Sequence, residues 1–257
     1  MAHSIRYLSP PASVSMADRW YEIASVEHFW ILRRFDVLQR LAGSLVSRAR
    51  EIAEVGCGHG LVQLQIERAY GRGVTGFDLN ELALKENVSR LGTICCYDIH
   101  QRDAALRQRY DLIILFDVLE HITDENAFLS ALIFHLAPGG RLIVNVPAGM
   151  WAFSKYDEAA GHVRRYSIRT LQEAVRRSGL HVTDWTYWGF PLIPSLLLRK
   201  LWLLGHHEPD KIISSGFDPR SRTINALMRL ISRCEPIPQK FLGTSLMAVL
   251  ELGRGEN

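Results

Sequence analysis

From residue 50 to about residue 180, short apolar runs alternate with longer stretches whose apolar residues recur at helical spacing. The short runs predict strands near 51–55, 73–77, 94–97, 111–116 and 140–146, and the longer ones predict helices near 60–69, 80–91, 124–136 and 167–179. Ile113-Ile114-Leu115-Phe116 and Leu142-Ile143-Val144 are continuous apolar runs, as parallel strands covered on both faces must be. Asp124-Glu125 starts the helix over 124–136, and Pro138-Gly139-Gly140 ends it and turns the chain into the next strand. Alternating strands and helices joined by right-handed crossovers give an open, doubly wound α/β sheet.

The flanks differ. Residues 1–15, with a Pro10-Pro11 pair, read as a loose leader, and residues 17–48 read as helix in two pieces carrying the aromatic and basic cluster Trp20-Tyr21, His28-Phe29-Trp30 and Arg33-Arg34-Phe35. A strand at 181–188 and a last strand at 244–252 are separated by about 190–243, far more than a hairpin needs. This interval holds a leucine-rich segment, 190–204, charged only at Arg199 and Lys200, and a second amphipathic stretch, Thr223–Cys234. The leucine-rich segment suits a cover over an apolar substrate, a dimer face, a helix on a membrane surface, or a core helix closed by the last strand.

Composition narrows the class. A chain of 257 residues suits one large α/β domain and is short for two. A net charge of +3 gives no argument for nucleic acid. No run reaches the ~20 apolar residues that span a bilayer, although peripheral membrane contact stays open. Cys57, Cys95, Cys96 and Cys234 have neither metal-ligand nor disulfide-framework spacing. No metal is therefore expected, and free thiols point to the cytoplasm. The first residues lack the apolar core of a signal peptide.

The chemistry concentrates at Glu51–Gly60, E-I-A-E-V-G-C-G-H-G. Gly56, Gly58 and Gly60 mark a turn that a ligand approaches closely. Asp78 ends the second strand about 20 residues further on, where an acid can accept from ribose hydroxyls. The spacing is G-x-G-x-G, not the G-x-G-x-x-G of a dinucleotide site, and Glu54 lies two residues before the first glycine. A pyrophosphate disfavours that carboxylate. A ligand with an ammonium and a sulfonium, such as S-adenosylmethionine, suits it.

Five ordered blocks then complete a pattern: Glu54–Gly60, Val74–Asp78, Cys96-Tyr-Asp98-Ile99, Tyr110–His121 and Leu136–Pro147. In this order they resemble the class I S-adenosylmethionine-dependent methyltransferases. The resemblance implies a Rossmann-like, seven-stranded, doubly wound sheet with an antiparallel last strand, here carrying a helical N-terminal lid over 1–48 and a methyltransferase domain over 49–257 with the helical insertion at 190–243. It implies that Gly56, Cys57, Gly58 and Gly60 pass under the methionine part of the cofactor and that Glu54 orders the loop or meets the amino group. Asp78 would take the ribose, Leu79 and Ile99 would flank the adenine, Asp98 would accept from the adenine amino group, and Phe116 and Asp117 would face the cleft. The product would be S-adenosylhomocysteine.

The helix with Glu27-His28-Phe29-Trp30 and Arg34 resembles the lid of proteins similar to ubiquinone-biosynthesis O-methyltransferases. That resemblance places Arg34, with Arg33 as the alternative, at the cofactor carboxylate and Trp30 at the substrate. Residues 151–167 resemble a D-x-x-x-G-H-x-R-R-Y signature of bacterial methyltransferases. Asp157 and His162 have the types of an orienting acid and a base, and Arg165 and Tyr166 suit an anionic or hydroxylated substrate. Ser167 could instead cap the next helix. His121 is either a base or a structural residue of the loop after the fourth strand. The expected activity is methyl transfer to a small acceptor, apolar or lipid-linked, at a hydroxyl oxygen, by a monomer or homodimer. Nitrogen or carbon methylation, a non-catalytic scaffold and a nicotinamide-dependent dehydrogenase are the rival readings.

Overall fold

The computed structural model describes residues 4–13, 25–205, 212 and 222–253. Trp20 and Tyr21 of the aromatic cluster lie outside them. The strands are β1 (Arg6–Tyr7), β2 (Ile52–Val55), β3 (Thr75–Asp78), β4 (Thr93–Cys96), β5 (Tyr110–Phe116), β6 (Leu136–Pro147), β7 (Leu180–Trp188) and β8 (Ser245–Leu252). They form one sheet in the order β1-β4-β3-β2-β5-β6-β8-β7. The pairs from β1 through β6 are parallel, while β8 slots between β6 and β7 and runs antiparallel to both.

The helices are α1 (Phe29–Arg48), α2 (Leu61–Tyr70), α3 (Glu81–Lys85), α4 (Glu125–His135), α5 (Lys155–Ala159), α6 (Ile168–Arg177), α7 (Ile193–Leu203) and α8 (Arg222–Ile231). Continuous apolar strands demand cover on both faces, and the register supplies it. Ile113 and Leu115 of β5, with Leu142 and Val144 of β6, pack under Leu129 and Leu132 of α4 and Leu171 and Val175 of α6. The alternate residues Leu112, Ile114 and Ile143 pack on the other face under Val37, Leu38 and Val46 of α1 and Val62 and Ile66 of α2. The period of two along each strand divides one apolar run between two cores.

Several elements depart from the sequence expectation. The sheet has an eighth strand because Arg6–Tyr7 of the expected loose leader pairs with β4 at Cys95 and Cys96. Ser9 then accepts from the Asp98 amide at 2.8 Å through its hydroxyl, and the Ala12 amide donates to the Leu79 carbonyl at 3.1 Å. The helix expected over 80–91 stops after one short turn, because the Glu67 carboxylate draws the amides of Arg90, Leu91 and Gly92 to itself at 2.8–3.0 Å. Strand β6 begins earlier than Gly140: Leu136 already pairs with Tyr110, and the Pro-Gly-Gly turn is absorbed as an irregularity before Arg141 meets Leu112. Helix α1 bends at Ala42, whose φ of −138° is not helical, next to Gly43 and Ser44.

The insertion is tied to the core by a buried ion pair. Arg33 donates to Glu235 at 3.2 Å, and the same carboxylate accepts from the Gly189 and Phe190 amides at 2.7 and 2.9 Å. Arg33 also pairs with Asp36. Replacing Glu235 with alanine leaves two amides without their acceptor and the buried guanidinium with Asp36 as its remaining carboxylate. A loss of about 3–5 kcal/mol in urea unfolding is expected, and a loss below about 1 kcal/mol would show that water reaches the pair.

Candidate active site

A cleft opens at the carboxyl ends of β2, β5 and β6, where an open α/β sheet exposes loop backbone and helix N-termini. Strand β2 delivers Glu54 and then the glycine turn. Gly56 has φ +76°, and a Cβ there would come within 2.3 Å of Val118. Gly60, at φ +79°, begins α2 and stands against Asn87 in the same way. Only glycine fits this path, so backbone rather than side chain faces the cleft. Cys57 lines it too, but burial raises its thiol far above the usual range, so it stays protonated.

Glu54 is a strongly displaced acid in the floor. Burial, opposed by the Arg34 charge and reinforced by Asp78, pushes it up to about 8. Its Oε2 is buried without a hydrogen-bond partner. An unsatisfied buried carboxylate oxygen beside a glycine turn is a place for an ammonium group. Asp78 at the tip of β3 accepts from the Gly58 and Asn80 amides at 2.7 and 2.9 Å. Two oxygens have lone pairs beyond these bonds, so Asp78 shapes the loop and still has capacity for a hydroxyl. Leu79 follows it, and Asp98 and Ile99 stand at the tip of neighbouring β4, where Asp98 accepts from the His100 amide at 2.9 Å. The four residues expected at adenosine are thus gathered beyond the glycine turn, beside the N-terminal strap at Ser9 and Ala12, rather than in the cleft that holds Glu54.

Across the cleft, β5 ends in Phe116 and Asp117. Asp117 has φ +56°, a strained conformation for a non-glycine residue. Its carboxylate is clamped by the Asn145 amide at 2.7 Å and by the Arg34 guanidinium, and Asn145 in turn accepts from the Trp188 indole at 2.9 Å. Burial raises Asp117 against the pull of Arg34. Arg34, expected at the cofactor carboxylate, is therefore engaged by Asp117 and sandwiched between the Trp30 and Phe116 rings at 4.9 and 5.1 Å. Arg33 turns away to Glu235 and does not line the cleft. Trp30 does line it, packed against Trp188.

The segment 151–167 folds over the third side. Asp157 is fully buried and accepts from His162 Nδ1 at 2.9 Å and from Arg165 Nε at 2.7 Å. Burial pulls its pKa upward, but the His162 hydrogen bond and the Arg165 charge outweigh that and hold it at about 2. An ionised Asp157 fixes the imidazole with its proton on Nδ1 and leaves Nε2 to accept. The His121 ring stands edge-on to His162 at 4.8 Å. Burial, with the neighbouring His162, lowers His121 to about 4, so it is neutral near pH 7. Tyr166, expected at the substrate, is turned out of the cleft: it is buried beneath α4, and its hydroxyl donates to Glu125 at 2.6 Å. Ser167 takes the alternative role and caps α6 with Thr170. Arg165 lines the cleft but spends its Nε on Asp157.

Sequence reasoning missed Glu120, Tyr156 and Arg199. Glu120 is buried, and burial with the nearby Asp117 pushes its carboxyl far above the normal range. Donor atoms of Glu120, His121 and His162 lie within 4.8 Å of one another, close enough to share one cation. No fixed spacing announces this group, because His162 arrives from a separate loop. Arg199 reaches in from α7 and stacks on Tyr156 at 4.3 Å.

A family model described as a methyltransferase domain matches residues 26–184, more than half of the chain. With the sheet order and glycine turn, this places the chain in the class I S-adenosylmethionine-dependent methyltransferases. Among curated relatives, the chain is 31% identical over 137 residues to a ubiquinone biosynthesis O-methyltransferase of Bordetella avium, covering 49% of this chain and 55% of that protein. It is 27% identical over 178 residues to a probable S-adenosylmethionine-dependent methyltransferase of Mycolicibacterium smegmatis, covering 68% of each. The chain thus spans about half the length of the first of these relatives. In fold it is similar to the S-adenosylmethionine-dependent methyltransferase of Archaeoglobus fulgidus, with TM-score 0.55, 15% identity and coverage of 86% and 93%.

Proposed function

We propose that this chain methylates a hydroxyl oxygen on a small, apolar acceptor, with His162 as the base. The observation that carries the reading is the Asp157–His162 pair: a buried ionised carboxylate aiming an imidazole Nε2 into a cleft whose opposite wall is the glycine turn. A hydroxyl is a poor nucleophile until its proton is taken as the new bond forms, whereas a neutral amine needs no such base. S-adenosylmethionine, when bound, supplies the electrophilic methyl group.

The residues present fit that cofactor. Glu54 Oε2 has the vacancy for its ammonium, the glycine turn the backbone surface for its methionine chain, and Asp78 and Asp98 the acceptors for ribose and adenine. The remaining residues position. Arg165 keeps Asp157 ionised, so the imidazole keeps its tautomer. Trp30, Phe116 and Leu196 supply the apolar wall that excludes water around the acceptor. The ubiquinone-biosynthesis relative, named as an O-methyltransferase, supports oxygen as the acceptor atom.

The test is transfer of labelled methyl from S-adenosylmethionine to matched pairs of aromatic acceptors carrying a hydroxyl or an amine. Label on the hydroxylated member is expected. Transfer to amines alone would move the assignment to nitrogen, and calorimetric binding of S-adenosylhomocysteine without any turnover would favour a scaffold.

A further inference from the structure

Two helices of the insertion turn apolar side chains outward. On α7, Leu197, Leu198, Leu201 and Trp202 fall on one face, and Leu198 and Leu201 are 68% and 65% exposed. On α8, Ile224, Leu227 and Leu230 are more than half exposed, while Asn225 faces α1 and hydrogen-bonds to the Phe29 amide and the Glu27 carbonyl. The two helices belong to one bracket. Phe190 just before α7 meets Phe241, 80% exposed, at 6.1 Å, and Glu235 just beyond α8 accepts from the Phe190 amide. Exposed leucines, tryptophan and phenylalanine gathered in one region mark an interaction surface.

Charge says what kind. Residues 222–234 hold Arg222, Arg229 and Arg233 and no acid, and all three arginines are exposed. The one acid of 222–243, Glu235, is buried against Arg33. Residues 190–205 hold no acid, and of their two basic residues Arg199 is spent inside the cleft on Tyr156. Over the whole insertion, 190–243, basic residues at 199, 200, 211, 220, 222, 229, 233 and 240 stand against acids at 208, 210, 218 and 235. A basic amphipathic helix beside an exposed leucine and tryptophan face is the pattern of a segment lying in the headgroup region of an anionic bilayer. The inward side of α7 meanwhile places Leu196 and Arg199 in the cleft.

We infer that α7, α8, Phe190 and Phe241 form a membrane-docking surface for an anionic lipid bilayer, which brings the mouth of the cleft to the headgroup region. An acceptor dissolved in the membrane then reaches the site past Leu196 without crossing water. Docking does not rest on methyl transfer, since vesicle partition is read without turnover.

The test is co-sedimentation of the full chain with vesicles of phosphatidylcholine alone and of phosphatidylcholine with phosphatidylglycerol. Binding to the mixed vesicles at least about tenfold tighter, and weakened by salt, is expected, since each surface arginine is worth roughly a fivefold change. Leu198→Asp with Leu201→Asp should reduce partition more than about tenfold. Arg229→Glu with Arg233→Glu should remove the anionic preference. In both, S-adenosylhomocysteine binding should match wild type, which reports an intact fold. The inference is overturned if wild type stays in the supernatant with both vesicles, or if it pellets equally well with both charge and leucine variants. It is also overturned if the leucine variant dissociates a dimer while wild type ignores vesicles, because a second copy is then the occupant.

Discussion

His162→Ala is expected to lower kcat for a hydroxylated acceptor by about 10²–10⁴-fold while leaving cofactor affinity within about twofold, because in the proposed reaction the residue moves a proton and holds nothing of the cofactor. The geometry makes the split specific. His162 is oriented by Asp157, which is itself held by Arg165. Asp157→Asn should therefore lose most of the same activity even though it does not face the acceptor, since a neutral amide does not enforce the Nδ1 proton. Imidazole added to His162→Gly should restore part of the rate. Single-turnover kinetics with calorimetric binding of S-adenosylhomocysteine separates these effects. An unchanged kcat in His162→Ala, with no loss in Asp157→Asn, would remove the base from the scheme and leave positioning as the whole of catalysis.

Glu54→Gln should weaken S-adenosylmethionine binding by roughly 10–100-fold, the worth of a buried hydrogen bond to a charged partner, and make the free protein more stable above neutrality. Burial raises Glu54 to about 8 in the folded chain, against an ordinary value of 4.5. Below 4.5 both states are protonated, and no penalty exists. Between 4.5 and 8 the folded state binds the proton that the unfolded state gives up, so stability falls as pH rises. Above 8 the penalty is constant, on the order of a few kcal/mol. The glutamine variant removes that slope, and thermal unfolding across this range measures it. An ammonium arriving beside Oε2 reverses the burden, so binding at pH 7 should release close to one proton to buffer. Calorimetry in two buffers of different ionisation enthalpy counts it. No proton release, with unchanged affinity in Glu54→Gln, would mean that Glu54 orders the loop only.

The two variants exchange stability and function in opposite ways. Glu54 is a destabilised acid that the proposed site reserves for an ammonium, a common trade at binding sites. Asp157 is a satisfied acid whose removal should cost both, because the buried Arg165 and the half-buried His162 lose their acceptor.

The periodicity of the chain was enough to settle the layering. Ile113–Phe116 reads as a central strand because nothing else accommodates that many adjacent apolar residues, and the glycines at 56, 58 and 60 read as a ligand turn because few backbones need three so close. Such features are local: spacing along the chain carries them. The eighth strand escaped notice because Arg6–Tyr7 has no apolar pattern of its own and is held by the edge of β4. Helix α3 stopped short because of Glu67, a residue of a different helix. At the site the division is the same. Asp157 and His162 could be named as an acid and a base, five residues apart, but Tyr166 from the same motif is turned under α4 by Glu125, and Arg34 meets Asp117 rather than open solvent. Which way a long polar side chain points depends on partners brought together by folding, often more than 40 residues away, as Tyr166 and Glu125 are. Composition and spacing determined the class of fold, the glycine turn and the residue types of the proposed base and its partner. Tertiary packing alone decided which charges pair, which carboxylates are left unsatisfied, and which apolar helices remain facing out, because these depend on distances through space that no one-dimensional pattern records.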